Sequence, residues 1–263
     1  MSDAMKVIYI CFPEGKHKVL TMSYDDGKLA DRRLVSIFNH YGIKGTFHLN
    51  SGMHGPERIP SEEWKALYEG HEMSCHTVTH PTIARSPVEQ VAVQVLEDRR
   101  YIERIAGYPV RGLSYPNGSY NREIIELLPK LGIEYSRIVG NTDDFSMPEN
   151  YLAWEATCHH NHNLIENGKR FLELKKTQYM YMMYVWGHSY EFDRDNNWEL
   201  MEEFCEMMSG QEDIWYATNI QIVDYMKAAK NLRFTLDGDL VYNPNAMDIW
   251  ICLLYTSPSP RDA

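Results

Sequence analysis

Two short segments about fifty residues apart carry side chains that could perform chemistry. Residues 23–27 read Ser-Tyr-Asp-Asp-Gly and offer two adjacent carboxylates, Asp25 and Asp26, after an apolar run that predicts a β-strand. Two imidazoles, His76 and His80, lie four residues apart, and we expect one turn of helix to place both on the same face. One carboxylate plus two imidazoles is a common ligand set for a catalytic divalent metal with an open position. The second carboxylate could then act as a base.

The composition limits the classes of protein to which this chain can belong. It has 263 residues, 44% of them hydrophobic and 24% charged, which predicts a folded, soluble protein with one sizeable core rather than a disordered chain. The formal net charge of −11 argues against a nucleic-acid partner, because proteins that bind nucleic acids usually carry a basic face. No apolar run approaches the roughly 18 residues of a membrane span, so we predict no membrane partner.

The amino-terminal segment and the cysteines favour a cytoplasmic location. Residues 1–10 are too short and too polar for a signal peptide. The five cysteines are irregularly spaced and include no Cys-x-x-Cys pair, which favours reduced thiols over a disulfide framework. Cys75 precedes His76 on a predicted strand, so its side chain should point away from that histidine. We therefore expect Cys75 to be a core residue and not a metal ligand.

Short apolar runs alternate with segments of helical periodicity along most of the chain. About seven such strand–helix units in roughly 230 residues predict an α/β fold, a distorted (β/α) barrel of about seven strands. The last predicted helices cover residues 198–208 and 219–229, and a further strand is expected over residues 151–157. The side chains that could perform chemistry follow predicted strands, and active sites of such barrels form at that carboxyl-terminal rim.

The character of the chain changes after the predicted barrel domain, residues 1–230. Short strand-like runs around a turn at Asp237 and Gly238 predict a small β appendage of the same domain over residues 231–251. Residues 252–263 resemble the translation of a sequencing adapter, since they interrupt an apolar stretch and continue into Ser-Pro repeats. We expect this tail to be non-native and exclude it from the predicted fold. The alternative is a genuine disordered tail.

Taken together and in order, these motifs resemble the polysaccharide deacetylase family, also called the NodB-like carbohydrate esterases. The Asp-Asp-Gly segment is similar to the family's first motif, Thr-Phe-Asp-Asp-Gly, and the paired histidines to its second, His-Ser/Thr-x-x-His. A Tyr-Pro-Asn-Gly turn partly matches the third motif, and a histidine after an apolar strand matches the last. The matching segments, spread over roughly residues 18–230, are 23–27, 42–48, 70–80, 115–118 and His188.

The resemblance implies roles for four residues of the first two motifs. Asp26, His76 and His80 would bind one divalent metal, with zinc preferred and cobalt, nickel or manganese as alternatives. Asp25 would be the general base that takes a proton from water. A bound divalent ion makes that step easier, because it lowers the pKa of water from about 16 towards 7.

The resemblance also implies an oxyanion site and a general acid. The turn formed by Tyr115, Pro116, Asn117 and Gly118 would line the substrate, and the backbone N–H of Asn117 would hold the oxyanion. A backbone donor tolerates a change of side chain, so Asn in place of the family's usual Tyr need not abolish function. His188 would protonate the leaving amine, since the pKa of imidazole lies near working pH.

The chain departs from the family pattern in two places. The family's third motif usually has an arginine two residues before its proline, where it pairs with the catalytic aspartate, and this chain has Ser114 there. Arg111 is close but three residues off. The family's fourth motif, an aspartate near a tryptophan that orients the catalytic histidine, has no clear match. Asp143, Asp144 and Trp154 are candidates for it.

A histidine-rich run at residues 158–162 suggests a second metal site, but its spacing is too tight for three histidines to converge without an unusual turn. We expect His159 and His160 to be rim residues near the substrate, the alternative being a surface loop without a functional role.

The sequence thus predicts a metal-dependent hydrolase that removes N-acetyl groups from an amino-sugar glycan or oligosaccharide. Two alternatives stay open. Relatives in the same family hydrolyse ring amides of small heterocycles such as allantoin, and a cytoplasmic location favours a small soluble substrate over a cell-wall polymer. A catalytically inactive carbohydrate-binding homologue would explain the missing arginine. In each case the partner is a carbohydrate or a small amide, and the oligomeric state is not predicted.

Overall fold

The structure, a computed structural model, describes residues 6–255. Its strands and helices alternate along most of the chain. The strands are β1 (Lys6–Cys11), β2 (Lys18–Asp25), β3 (Gly45–Leu49), β4 (Glu72–Cys75), β5 (Gly112–Ser114), β6 (Tyr135–Arg137), β7 (Cys158–His159), β8 (Tyr181–Gly187), β9 (Ile214–Tyr216), β10 (Arg233–Phe234), β11 (Val241–Tyr242) and β12 (Trp250–Tyr255). The helices are α1 (Asp31–Tyr41), α2 (Ser61–Leu67), α3 (Val88–Ala106), α4 (Arg122–Leu127), α5 (Leu164–Glu173), α6 (Tyr190–Asp195), α7 (Trp198–Met208) and α8 (Asn219–Lys230).

Parallel strands form one curled sheet at the centre of the molecule. Seven strands follow the order β6-β5-β4-β3-β2-β8-β7, and β9 pairs with β2 beside this path. Every pairing in the sheet is parallel. The chain between β6 and β7 partly closes the gap between the two edge strands, since Trp154 N donates to Ser136 O at 2.9 Å. The predicted distorted (β/α) barrel of about seven strands is confirmed.

The central strand β2 explains why a polar interior coexists with an apolar outer layer. All eight of its residues are buried, as expected for a strand covered on both faces. Leu20, Met22 and Tyr24 belong to the apolar cluster that also contains the buried faces of the helices. The alternate residues Thr21 and Ser23 are buried and polar, and both make hydrogen bonds to other buried side chains. Because side chains alternate along a strand, Asp25 lies on this polar face, at the rim.

The secondary structure predicted near the end of the sheet is right for the helices and wrong for one strand. The predicted helix 198–208 coincides with α7, and the predicted helix 219–229 lies within α8. The strand expected over residues 151–157 is instead a 3-10 turn, Tyr151–Ala153, followed by the two-residue strand β7. Helix α6, which follows the last strand of the barrel path, escaped prediction because it is only six residues long.

The segment after α8 forms short antiparallel strands. β10 and β11 make a hairpin, as the turn signal indicates, and β12 pairs with β1. The segment predicted to be a foreign tail therefore begins inside a paired strand, with Leu253 opposite Ile8. Residues 256–263 lie outside the described residues, and the foreign origin of the tail stays a prediction. None of the helices in residues 6–255 combines the length and apolar character that a membrane span requires.

Glu72, at the start of β4, is a buried acid that makes stability depend on pH. Its carboxylate accepts hydrogen bonds from the Tyr135 hydroxyl at 2.6 Å, the Thr46 hydroxyl at 3.0 Å and the Ile220 N–H at 2.9 Å. Burial outweighs these donors and raises the pKa of Glu72 from 4.5 to about 7. The folded chain therefore holds this proton more tightly than the unfolded chain does.

We predict that the free energy of unfolding falls as pH rises from 4.5 towards 7, with Glu72 contributing on the order of 3 kcal/mol to that fall. Glu72→Gln cannot titrate, so the variant should lose this part of the pH dependence in urea unfolding between pH 4.5 and 8. Glu69→Gln, at an exposed position nearby, is the control and should follow the wild type. Identical pH dependence in Glu72→Gln and wild type would contradict the prediction.

Candidate active site

The carboxyl ends of the parallel strands bring the predicted site residues to one rim. Asp25 ends β2, Ser114 ends β5 and Arg137 ends β6. His76 directly follows β4, and His188 directly follows β8. In the register between β2 and β8, Tyr24 pairs with Gly187, so Asp25 and His188 leave neighbouring strands at the same level. This is the arrangement predicted from the order of the strands.

Asp26, His76 and His80 come together as the sequence predicts. One ligand atom from each lies within 4.8 Å of the others, and the two imidazole rings are 4.7 Å apart between centroids. His76 Nδ1 lies 2.9 Å from the carbonyl oxygen of Ser114, which fixes the proton on that nitrogen. His76 Nε2 is buried and has no hydrogen-bond partner in the described part of the chain. A free buried lone pair, a second imidazole and a carboxylate are a donor set that fits a divalent metal such as zinc.

The two histidines converge through a loop, so the expected turn of helix is wrong. Residues 76–80 contain no helical turn, and the backbone has positive φ at Thr77 and at His80. These left-handed residues reverse the direction of the chain within four residues and turn His80 back towards His76. Positive φ is uncommon for a β-branched residue such as Thr, so this loop needs support from outside.

Two buried side chains supply that support. Asn50 Nδ2 donates to the carbonyl oxygens of His76 and Thr77, at 2.7 and 2.9 Å. The Asp98 carboxylate, from α3, accepts from the backbone N–H of His76 at 2.9 Å and from that of Ser51 at 2.8 Å. These side chains satisfy backbone polar groups of the histidine loop together with two backbone hydrogen bonds, from His76 N to Leu49 O and from Gly52 N to Val78 O.

Asp25 is a buried carboxylate held in the charged form. Ser114 Oγ donates to Asp25 Oδ1 at 3.0 Å, Arg137 pairs with Oδ2, and His76 Nε2 lies 3.7 Å from Oδ2. Burial would raise the pKa of Asp25, but the positive charge of Arg137, followed by His76 and His48, holds that pKa well below its usual range. Asp25 therefore accepts hydrogen bonds as an anion at neutral pH.

Arg137 takes the place of the arginine that the sequence comparison found missing. Ser114 occupies the motif position, and Arg137 reaches Asp25 from the next strand, β6. Arg111, the nearest candidate in sequence, pairs instead with Asp224 at 2.6 Å and with Glu134. Arg137 was not singled out from the sequence. Its position within a short strand-like segment, residues 133–138, was a signal, because a buried guanidinium needs an acidic partner.

His188 has a carboxylate partner that sequence reasoning also missed. Glu191, from α6, places its Oε2 atom 3.5 Å from His188 Nδ1. Burial would lower the pKa of His188, but Glu191 and the more distant Asp25 and Asp26 outweigh it and raise that pKa above its usual value. His188 is thereby favoured as a proton donor.

The three candidates for the fourth motif lie elsewhere. Asp143 is bound by His162 at 3.0 Å and by Asn167 at 2.7 Å. Trp154 is fully buried in a second apolar cluster, which also contains Phe12, Tyr135 and Tyr184. Asp144 lines a surface pocket beside Phe145.

The predicted oxyanion turn is present, but its members differ in exposure. Residues Pro116–Gly118 form a 3-10 turn after β5, and Asn117 is exposed with a φ of 56°. Asparagine tolerates this left-handed conformation better than most residues do. Tyr115 is buried, and its hydroxyl donates to the carbonyl oxygen of Leu152 at 2.7 Å, so the structure does not bring this side chain to the cleft.

His159 is the last residue of β7, and His160 follows it at the same rim. His159 is partly exposed, and its Nε2 atom lies 2.9 Å from Glu191 Oε2. His160 is fully buried between the rings of Tyr24 and Phe192, so the expectation that this rim residue lies near the substrate is wrong. Burial lowers the pKa of His160 to about 3, with the neighbouring charge of His159 acting in the same direction. Cys75 is fully buried, as predicted.

The family model for polysaccharide deacetylases matches residues 13–136. A peptidoglycan-N-acetylglucosamine deacetylase of Bacillus cereus is 26% identical over 116 residues, which are 43% of this chain and 40% of that protein. A chitooligosaccharide deacetylase of Azorhizobium caulinodans is 26% identical over 127 residues, 48% of this chain and 55% of the relative. The chain thus aligns with about half or less of each of these relatives.

The fold is similar to that of a solved structure from Mycobacterium smegmatis, a candidate polysaccharide deacetylase. The TM-score is 0.64 with 17% sequence identity, over 90% of this chain and 98% of that protein. At this identity the likeness extends to the fold and not to the chemistry.

We predict that Arg137→Met lowers the free energy of unfolding by about 3–5 kcal/mol, because it leaves Asp25 buried without its counter-charge. Adding Asp25→Asn to Arg137→Met removes the unpaired negative charge. The double variant should therefore recover part of the lost free energy of unfolding, measured by urea unfolding at pH 7. Arg111→Met is the matched control, since that pair is about 30% exposed and should contribute no more than about 1 kcal/mol. Additive effects of Arg137→Met and Asp25→Asn would contradict the pairing.

Proposed function

We propose that this chain, which belongs to the polysaccharide deacetylase family, is a metal-dependent hydrolase that removes N-acetyl groups from an amino-sugar glycan or oligosaccharide. The observation that carries the proposal is the convergence of Asp26, His76 and His80 beside a second, buried carboxylate, with the His76 Nε2 lone pair free. The names of the two curated relatives, deacetylases of peptidoglycan and of chitooligosaccharide, favour an acetylated amino sugar as the substrate.

Asp26, His76 and His80 would hold the metal. A divalent ion bound there supplies Lewis-acid chemistry, because it acidifies water and polarises a carbonyl oxygen. Zinc suits the two imidazoles and one carboxylate best, and cobalt, nickel or manganese are the alternatives.

Asp25 orients the attacking water and accepts its proton. Arg137 keeps the carboxylate ionised and fixes one oxygen, and Ser114 fixes the other. A carboxylate with so low a pKa is a weak base, so its contribution lies in position as much as in proton affinity.

Asn117 and His188 complete the proposed reaction. The Asn117 N–H, on the turn after β5, stabilises the negative charge that develops on the acetyl oxygen. His188, whose pKa Glu191 raises, donates a proton to the departing amine. The carbon–nitrogen bond breaks, and the products are acetate and a free amino sugar.

Two alternative functions use the same residues in part. A ring-amide hydrolase would employ the same groups and release an opened ring instead of acetate. An inactive carbohydrate-binding homologue was favoured by the missing motif arginine, and Arg137 removes that argument because it supplies the guanidinium from β6. The cytoplasmic location stays a prediction.

We expect the zinc-loaded wild-type chain to release acetate from N-acetylglucosamine oligomers, and Asp25→Asn and His188→Gln each to lower kcat by roughly 10²–10⁴-fold. Acetate is measured enzymatically, and far-UV circular dichroism checks that each variant is folded. Asp248→Asn and His40→Gln, at exposed positions, are the matched controls and should retain full activity.

Three results would contradict the deacetylase proposal. The first is an absence of acetate from the zinc-loaded wild type with every oligomer tested. The second is release of an opened ring from a hydantoin-type amide, which would favour the ring-amide hydrolase. The third is acetate release that Asp25→Asn leaves unchanged.

A further inference from the structure

A second cluster of metal-ligating side chains lies on the same rim, outside the proposed Asp26–His76–His80 site. One ligand atom each from His159, His160 and Glu191 lies within 4.8 Å of the other two. Glu191 Oε2 is the common centre, 2.9 Å from His159 Nε2 and 3.3 Å from His160 Nε2. His188 Nδ1 approaches the same oxygen at 3.5 Å.

These separations match those of ligands around one small cation. In a tetrahedral site with metal–ligand bonds of about 2.0–2.1 Å, neighbouring ligand atoms are about 3.3 Å apart. The distances from Glu191 Oε2 to His159 Nε2 and to His160 Nε2, 2.9 and 3.3 Å, are close to that value. The other carboxylate oxygen, Oε1, has a separate partner, since Arg194 Nη1 lies 3.6 Å from it.

Hydrogen bonding alone does not explain the burial of the His160 ring. The ring is fully buried, yet neither of its nitrogens has a hydrogen-bond partner within residues 6–255. Its contact with Glu191 has the distance but not the alignment of a hydrogen bond. A buried polar atom without a partner is costly and requires an explanation, and a cation bound to His160 Nε2 would supply that partner.

The fold holds the His160 ring in this position. Tyr24 stacks on it at 5.8 Å between centroids with an interplanar angle of 7°, and Phe192 stacks on it at 4.1 Å. Gly187 lies against the ring, where the Cβ of any other residue would overlap it. Because β7 ends at His159 and the chain turns there, two adjacent histidines can face one carboxylate instead of opposite sides of a strand.

We propose that His159, His160 and Glu191 bind a second divalent transition-metal ion of the zinc class. Two imidazoles and one carboxylate select such ions over magnesium or calcium, which prefer oxygen ligands. The site shares Glu191 with His188, the proposed general acid, and its occupancy is measured without turnover.

Binding requires one local rearrangement. The Asn161 N–H donates to His159 Nδ1 at 3.1 Å, so in the absence of metal the ring proton lies on Nε2. Metal binding at Nε2 moves this proton to Nδ1 and breaks the contact with Asn161. Asn161 is exposed, so its N–H can donate to water instead. Metal binding therefore replaces one exposed hydrogen bond, from Asn161 to His159, with the bonds to the metal.

The test counts bound zinc on the full chain after equilibrium dialysis against micromolar Zn²⁺ with millimolar Mg²⁺ present. The background variant Asp26→Ala with His80→Ala removes the first site. We expect about two zinc ions per chain in the wild type and about one in the background variant. Adding Glu191→Gln or His159→Gln to the background should abolish zinc binding, whereas Glu199→Gln, an exposed glutamate on α7, should not.

Other results would overturn the second site. These are a background variant that binds no zinc, or bound zinc that neither Glu191→Gln nor His159→Gln removes. The His159 variant guards against misfolding, because this side chain is partly exposed and lies outside the apolar core. Failure of the first site would give a different result from failure of the second. The wild type would then bind one zinc ion, which Glu191→Gln removes and Asp26→Ala leaves in place.

Discussion

A carboxylate buried at the end of a parallel strand must be paired, protonated or solvated, and Asp25 is paired. Its partner Arg137 comes from β6, which is separated from β2 in the sheet by three other strands. The contact therefore spans the interior of the curled sheet instead of running between neighbouring strands. The curvature of the sheet brings the Asp25 carboxylate and the Arg137 guanidinium together. In a flat sheet both charged groups would be buried and unpaired.

The interior that the pair crosses is polar and extensively hydrogen-bonded. Ser23 Oγ and His48 Nε2 are 2.9 Å apart, and His48 Nδ1 lies 3.2 Å from the carbonyl oxygen of Cys75. Closer to the amino end, Glu72 connects Tyr135 with Thr46. These hydrogen bonds connect buried polar side chains of several strands below the rim.

The sequence was sufficient to predict most strands and helices and the grouping of Asp26, His76 and His80, and insufficient to predict the side chains that pair with Asp25 and His188. The strands preceding Asp25 and His76 are recognisable because buried parallel strands are short apolar runs, and the rim follows from the direction of the strands. Arg137 and Glu191 could not be assigned to their partners, since each contact depends on the register and curvature of strands distant in sequence. The turn after His76 was missed for a different reason: spacing of four residues suits a helix, and only buried partners such as Asn50 favour the loop.

The amino end of the barrel is closed by the start of α8. The backbone N–H of Asn219 donates to the Thr46 hydroxyl at 3.0 Å, and that of Ile220 donates to Glu72, so the positive end of this helix faces a buried acid. Strand β9, which leads into α8, covers the amino-terminal half of β2. These contacts fill the amino-terminal end of the barrel, so a ligand of the proposed site would reach it from the opposite rim. A polymeric substrate of the proposed deacetylase would therefore bind along that rim instead of passing through the barrel.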